Sequence, residues 1–137
     1  MMKKILVLMF AATLVLTSCS KEARLNRKLE GTWNVLSYTQ NGTPFNMTGL
    51  TRSITFTKDK KGVGNYSMTT TILSFPTVET GTYAITSDTK ITKTQVAPVV
   101  TSGSAITVMN IVSFSKTDMT LSIVTSSGTD IYVLKKS

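Results

Sequence analysis

The chain contains no histidine, one cysteine and only seven acidic residues. Zinc-type metal sites therefore lack ligands, and Ser-His-Asp or Cys-His catalysis lacks its base. The acidic residues do not cluster, because Glu79, Asp88, Asp118 and Asp130 fall at turns or strand ends. No glycine-rich phosphate loop is present, and residues 59–62 are a charged turn and not a P-loop or EF-hand. We predict no enzymatic activity, no catalytic residues, no metal site and no cofactor.

The chain also lacks an apolar run long enough to cross a bilayer. The longest run, Ile5–Leu16, is shorter than the about 20 residues that a spanning helix needs. Two lysines precede it. Its last residue begins Leu16-Thr17-Ser18-Cys19, which matches the bacterial lipobox. We predict a lipoprotein signal peptide over residues 1–18 and acyl chains, such as palmitate, on Cys19. The alternative is a plain secretory signal with an incidental cysteine.

The residue after the cysteine bears on localisation. Ser20 is similar to the residue found in lipoproteins sorted to the outer membrane, whereas Asp there marks retention at the inner membrane. Two or more acyl chains anchor a protein stably where one does not. We therefore expect a lipid-anchored protein of the bacterial cell envelope, at the outer membrane, whose membrane partner is reached through the N-terminal lipid.

Acidic residues are outnumbered by fifteen basic ones, which gives a formal net charge of +8. Removal of Lys3 and Lys4 with the signal leaves thirteen against seven, or +6. This charge favours an anionic lipid or ligand, or it is a soluble surface with scattered lysines. Aromatic residues are not interleaved with the lysines, so we predict no nucleic-acid partner.

Long helix formers become scarce after Glu30. Before that point, Leu25 and Leu29 are spaced i, i+4, which predicts a short helix with both leucines on one face. Such a helix is too short to be stable alone and must dock on the domain or fray. We assign residues 19–30 to a lipidated tether with this helix, and residues 31–137 to one β-domain.

From Gly31 onward, Thr, Ser, Val and Ile alternate with a period of two, which is typical of strands with one buried face. The pattern predicts eight strands, approximately Thr32–Thr39, Arg52–Lys58, Gly64–Ile72, Glu79–Thr86, Thr89–Val96, Ala105–Ser115, Met119–Thr125 and Thr129–Lys135. An even number of sequential antiparallel strands can close without free edges. We predict an all-β, eight-stranded up-and-down antiparallel barrel with a short N-terminal helix, and a monomer.

Successive connections in such a barrel alternate between its two ends. The second, fourth and sixth are short, whereas the first, third and fifth are longer and carry apolar residues. These long connections are Gln40–Thr51, Leu73–Val78 and Ala97–Ser104. Their side chains either gate the mouth as a lid or plug it. The lid candidates are Phe45, Met47 and Phe75, and the short helix should cover the opposite end, so that the mouth points away from the tether.

Strand parity selects side chains that face the interior. The candidate ligand-binding residues are Arg52, Phe56, Tyr66, Met68, Glu79, Tyr83, Met119 and Tyr132. Arg52 and Glu79 begin their strands at the mouth and are candidate polar anchors, and an anionic head group would suit Arg52. Alternatively, both lie in water or pair with each other.

Several segments carry a family resemblance: Gly31-Thr32-Trp33 (Gly-x-Trp), Ile54–Thr57, Phe114–Leu121 and Tyr132–Lys136. The chain resembles the lipocalin superfamily, and more closely the short lipocalin-like domains of small bacterial lipoproteins. The resemblance implies that Trp33 closes the barrel bottom under a basic side chain from the last strand. Only Lys135 or Lys136 is available, and Lys135 is taken as the barrel-closing partner.

The resemblance also implies a non-enzymatic protein that binds or carries a small, largely apolar ligand. The alternative is a filled barrel that acts as a structural module or meets a protein or glycan of the envelope. Interior volume separates the two, since a cavity of about 300 Å³ or more favours the carrier.

Overall fold

The computed structural model describes residues 21–137. The predicted signal peptide and Cys19 lie outside the described residues. The described part contains a helix, α1 (Lys21–Leu29), and the strands β1 (Gly31–Gln40), β2 (Thr43–Pro44), β3 (Leu50–Lys60), β4 (Val63–Ile72), β5 (Phe75–Ser87), β6 (Lys90–Ala97), β7 (Ile106–Phe114), β8 (Asp118–Thr125) and β9 (Gly128–Lys136).

Antiparallel pairing joins each long strand to the next, and β1 also pairs with β9 from Trp33↔Lys136 to Gln40↔Asp130. This last pairing closes the sheet. The two-residue strand β2 pairs only with the end of β1. Eight long strands therefore form a closed antiparallel barrel with one short helix, which confirms the predicted fold class.

Two of the three long connections predicted at the mouth are shorter than the sequence predicts, because residues of each belong to strands. Asn41 and Gly42, both with positive φ, make a tight turn from β1 into β2, as an Asn-Gly pair favours. Leu73 and Ser74 make a similar turn between Ile72 and Phe75, although neither is a usual residue at positive φ. The turn signal at 41–42 was present in the sequence, and the one at 73–74 was not.

The wall of the barrel is incompletely paired between β1 and β3. These strands pair only from Gly31 to Asn34, and the register of β1 against β9 then shifts between Val35 and Ser37. Beyond this bulge β1 pairs with β2 instead. The segment 45–49 returns across the space, where the amide of Phe45 donates to the carbonyl of Tyr38 at 2.8 Å. Beyond Asn34, no ladder hydrogen bonds therefore join β1 to β3.

Helix α1 covers the end of the barrel that has the short turns, as predicted. Leu25 and Leu29 are both buried on its inner face. Trp33 is fully buried beneath the helix, and its indole Nε1 donates to the carbonyl of Leu29 at 2.8 Å. This closed end is therefore a packed apolar plug. Within residues 21–137, no helix is long and apolar enough to cross a membrane.

The lysine that closes the barrel is Lys136. Its Nζ lies 5.4 Å from the centre of the Trp33 ring and donates to the carbonyl of Lys28 at 3.0 Å. The assignment of this role to Lys135 is wrong, because Lys135 is exposed on the opposite face of β9. A cation over an indole is attractive, and this one also satisfies a carbonyl at the end of α1.

Asn26 joins the helix to the barrel. It is 2 % exposed, its Nδ2 donates to the carbonyls of Lys60 at 2.9 Å and Val63 at 3.2 Å, and its Oδ1 accepts from Tyr83 Oη at 2.5 Å. Burial raises the pKa of Tyr83 to about 12, so the phenol keeps the proton that it donates. Gly64 makes room for this ring, since a Cβ there would lie 2.8 Å from Tyr83.

Candidate ligand-binding site

A cavity of about 240 Å³ lies inside the barrel on the mouth side of the packed plug. Its apolar lining is Val35, Ile54, Met68, Met109, Leu121, Ile123 and Leu134. Its polar lining is Arg52, Lys93, Thr107, Thr125, Asp130 and Tyr132. This volume is below the about 300 Å³ that would favour a carrier over a filled barrel, so a bound molecule must be smaller than a drug-sized ligand.

Lys93 and Glu79 form an ion pair inside the barrel. Lys93 Nζ lies 2.5 Å from Glu79 Oε1, and Tyr66 Oη donates to the same oxygen at 2.5 Å. Burial, with Glu79 beside it, holds the pKa of Tyr66 above its usual value. Glu79 therefore pairs with Lys93, and the alternative of a pair with Arg52 is wrong. Both charges of this pair are already compensated.

Arg52 lines the cavity near the mouth and is only partly buried. Its Nε donates to Thr70 Oγ1 at 3.0 Å, and its Nη1 donates to Tyr132 Oη at 3.4 Å. No ion pair of the described residues includes it. The guanidinium is thus held by neutral oxygens and keeps an uncompensated positive charge.

Asp130 faces the interior from β9 and is 9 % exposed. Its Oδ2 accepts a hydrogen bond from Tyr38 Oη at 2.9 Å. Its Oδ1 is buried and has no hydrogen-bond partner among residues 21–137. Burial and the neighbouring carboxylate raise the pKa of Tyr38, which keeps its phenol protonated as a donor. The expectation that Asp130 sits at a turn or strand end missed its inward orientation.

The two tyrosines at the mouth connect these polar groups. The rings of Tyr38 and Tyr132 are stacked, with centres 4.6 Å apart and planes 19° apart. Tyr38 holds Asp130, and Tyr132 accepts from Arg52. One chain of contacts therefore runs from the uncompensated cation to the unpartnered carboxylate oxygen across the top of the cavity.

Parity gave the face of each predicted residue but not its height in the barrel. Arg52, Met68 and Tyr132 line the cavity, and Glu79 adjoins it through Lys93. The other four candidates lie in the packed plug and do not line the cavity; they are Phe56, Tyr66, Tyr83 and Met119, each at most 2 % exposed.

Three of the polar residues that the prediction missed carry the charges and hydrogen bonds of the site: Tyr38, Lys93 and Asp130. A signal existed for two of them. Lys93 has the parity of Ile91, and Asp130 has the parity of Tyr132. For Tyr38, the bulge in β1 changes the parity between Val35 and Ser37, which the sequence does not reveal.

The three lid candidates differ in position. The ring of Phe45 lies 5.4 Å from that of Tyr38. Met47 and Phe45 line a small chamber of about 50 Å³ that shares Val35, Arg52 and Tyr132 with the main cavity. Phe75 is 78 % exposed at the tip of the β4–β5 hairpin, so it does not cover the mouth as predicted. Among residues 21–137, no group of three or more acidic side chains could hold a metal ion.

Comparison with known proteins supports the architecture. A family model described as a lipocalin-like domain matches residues 29–121. No curated protein matches the chain.

Among solved structures, the chain is similar to a redesigned β-barrel, b11L5F_LGL, at 17% identity and a TM-score of 0.59, over 86% of this chain and 98% of that one. It is also similar to a redesigned β-barrel, mFAP1, bound to DFHBI, at 19% identity and a TM-score of 0.52, over 82% and 97% of the two chains. A third match is EF1p2_mFAP2b bound to DFHBI, at 15% identity and a TM-score of 0.52, over 85% and 98%. At these identities the likeness shows the fold alone.

Proposed function

Because the chain belongs to the family of lipocalin-like domains, we propose that it is a membrane-anchored, non-enzymatic protein that binds or carries a small, largely apolar ligand. The family and the fold support a domain of the ligand-binding type, and members of this family are in general not enzymes.

The observation that carries the proposal is the cavity above the plug. Seven of its lining side chains are apolar, so burial of an apolar group there is favourable. Filled to the packing density of a protein interior, a space of 240 Å³ holds about ten non-hydrogen atoms. A molecule of the size of 1-octanol fits this limit, whereas a long-chain fatty acid would have to project through the mouth.

The test fills the cavity with a side chain. Thr107 lines the cavity, and its neighbour Val108 is exposed on the outer face of β7. Thr107→Trp should abolish binding of 1-octanol to the Cys19→Ser chain, measured by ligand-observed NMR. Val108→Trp is the matched control and should bind as the parent does. Absence of 1-octanol binding to the parent, together with no small molecule co-purified in native mass spectrometry, would contradict the proposal.

Charge distribution supports the anchored orientation. Of the charged residues in 21–137, only four face the interior: Arg52, Glu79, Lys93 and Asp130. The others, eleven basic against five acidic for a net +6, all lie on α1 or beside the turns of the closed end. This basic face is next to the point where residues 1–20 join the barrel. A lipid at Cys19 and a basic face together bind an anionic membrane more firmly than either alone.

The lipid itself is tested by labelling. Cells fed an alkynyl palmitate analogue should label the parent chain, and Cys19→Ser should remove the label and release the protein from the membrane fraction. Since this is the one cysteine, an unlabelled parent chain or a membrane-bound variant would count against the anchor.

A second function is favoured by the mouth surface. Leu73, Phe75 and Val99 are 73 %, 78 % and 79 % exposed there, and exposed apolar groups commonly mark interaction sites. In this alternative the barrel is a module of the cell envelope that meets a protein or glycan through its rim. Phe75→Ser should then abolish the function of the protein in its host cell, whereas Thr107→Trp should leave that function intact. The carrier function predicts the reverse.

A further inference from the structure

The cavity is polarised along the barrel axis. Leu121, Leu134 and Met109 form its floor, where they adjoin the packed plug, and they are all at most 3 % exposed. Arg52 and Asp130, each the third residue of its strand as counted from the mouth, lie at the upper level. A molecule with an apolar tail and a polar head would therefore bind with its tail down and its head between these two charged groups.

Most polar groups at the upper level already have partners. Lys93 is paired with Glu79, which also accepts from Tyr66. Arg52 uses two of its five N–H groups on Thr70 and Tyr132, and its uncompensated charge lies at the partly exposed mouth. A ligand gains little from a group that is already hydrogen-bonded within the protein, since it must replace one bond by another.

Asp130 Oδ1 is the exception. It is buried, and it belongs to a side chain that lines the cavity. Among residues 21–137, it is the one buried side-chain nitrogen or oxygen with no hydrogen-bond partner. The other oxygen is fixed by Tyr38, so the carboxylate cannot rotate without losing that bond. A buried carboxylate oxygen without a donor is unfavourable, and a donor brought by a ligand would remove that penalty.

We propose that the ligand carries a hydrogen-bond donor at its head, in particular an amine, and that Asp130 is the residue that binds it. This rests on the proposed function, because it assigns the polar end of the same ligand. A protonated amine supplies both the missing donor and a compensating charge, which a hydroxyl does not. The preference is the opposite of an anionic head group at Arg52, whose charge is partly exposed and screened by water.

The test compares three ligands that differ only at the head: octylamine, 1-octanol and octanoate. Each is titrated at pH 7 into the Cys19→Ser chain. We expect octylamine to bind at least about tenfold more tightly than octanoate, with 1-octanol between them. In Asp130→Asn, which keeps an acceptor for Tyr38, the difference between octylamine and octanoate should fall below about threefold.

The control is Asp88→Asn. Asp88 is an exposed carboxylate at the closed end, paired with Lys21 at 3.6 Å, and its loss changes the net charge as much as the loss at 130 does. The ranking of the three ligands should be unchanged in this variant. If the difference between octylamine and octanoate falls as much here as in Asp130→Asn, net charge alone explains it and the proposal is overturned.

The remaining outcomes separate the two claims. If all three ligands bind equally, or octanoate binds best, the head-group assignment is wrong and the carrier stands. If none binds, both fail. The ranking in the parent chain needs no interior substitution, so it decides the question even if Asp130→Asn does not fold.

Discussion

The two ends of this barrel are built from the same eight strands but in opposite ways. At the closed end, α1, Trp33 and the packed plug fill the interior, and the surface carries sixteen charged side chains. At the mouth end the surface carries no charged side chain among the described residues, and all four charges there point inward. One end is therefore a packed core, and the other encloses the cavity.

Polar groups follow the same division. At the closed end, Asn26 satisfies two carbonyls and a phenol, and the Trp33 indole is paired. At the mouth end, Asp130 Oδ1 has no partner, and β1 leaves β3 after Asn34. Regions that bind ligands or move are drawn from the less stable parts of a fold. The two halves of one continuous sheet therefore differ in how fully their polar groups are hydrogen-bonded.

The largest expected difference between the two ends concerns aromatic residues. Trp33→Ala removes a fully buried indole and should lower the free energy of unfolding by about 3–5 kcal/mol. Phe45→Ala, at a residue 44 % exposed beside the mouth, should lower it by less than about 1 kcal/mol. Urea denaturation measures both. Equal losses would show that the two ends contribute alike.

Asparagines give the next comparison. Asn26→Ala leaves the Tyr83 hydroxyl and the carbonyls of Lys60 and Val63 without partners, so we expect a loss of about 2–3 kcal/mol. Asn46→Ala removes an exposed bond to the amide of Thr48 and should lose less than about 1 kcal/mol. A smaller loss at position 26 than at 46 would separate α1 from the stable part of the barrel.

A glycine substitution at the mouth should raise the free energy of unfolding, unlike the substitutions above. Leu73 is 73 % exposed with φ of 48°, a conformation that disfavours a bulky residue, so Leu73→Gly should raise the free energy of unfolding by about 0.5–1 kcal/mol. Leu36→Gly, at another exposed leucine whose φ is not positive, should lower it. If both variants are less stable than the parent, the turn at 73–74 is unstrained.

The last prediction concerns how stability depends on pH. The pKa of Tyr83 is raised by burial from 10 in the unfolded chain to about 12, so the folded protein binds this proton more tightly. Its contribution to stability is complete below pH 10 and is lost as pH rises through 12. Tyr83→Phe should flatten the stability curve between these values, and an unchanged curve would place the titration elsewhere.

Much of the closed end was predictable from sequence, whereas little of the cavity was. The period of two gave the strands, and the spacing of Leu25 and Leu29 gave the docked helix. Side-chain parity does not give height along the axis, which depends on strand stagger, so Tyr83 and Met119 were placed in the site but belong to the plug. The partner of Glu79 lies on β6, where Lys93 stands opposite Tyr83, so only the reach of the lysine side chain along the interior joins it to Glu79.

The central claim is that a ligand occupies the mouth half of the barrel and leaves the closed half unchanged. Three methionines report on it: Met68 and Met109 line the cavity, and Met119 is buried in the plug. Titration of the ¹³C-methyl-methionine protein with 1-octanol should shift the methyl signals of Met68 and Met109 and leave that of Met119 in place. Equal shifts at all three methyl groups, or a shift at Met119 alone, would contradict the division between a packed closed end and a ligand-binding cavity at the mouth.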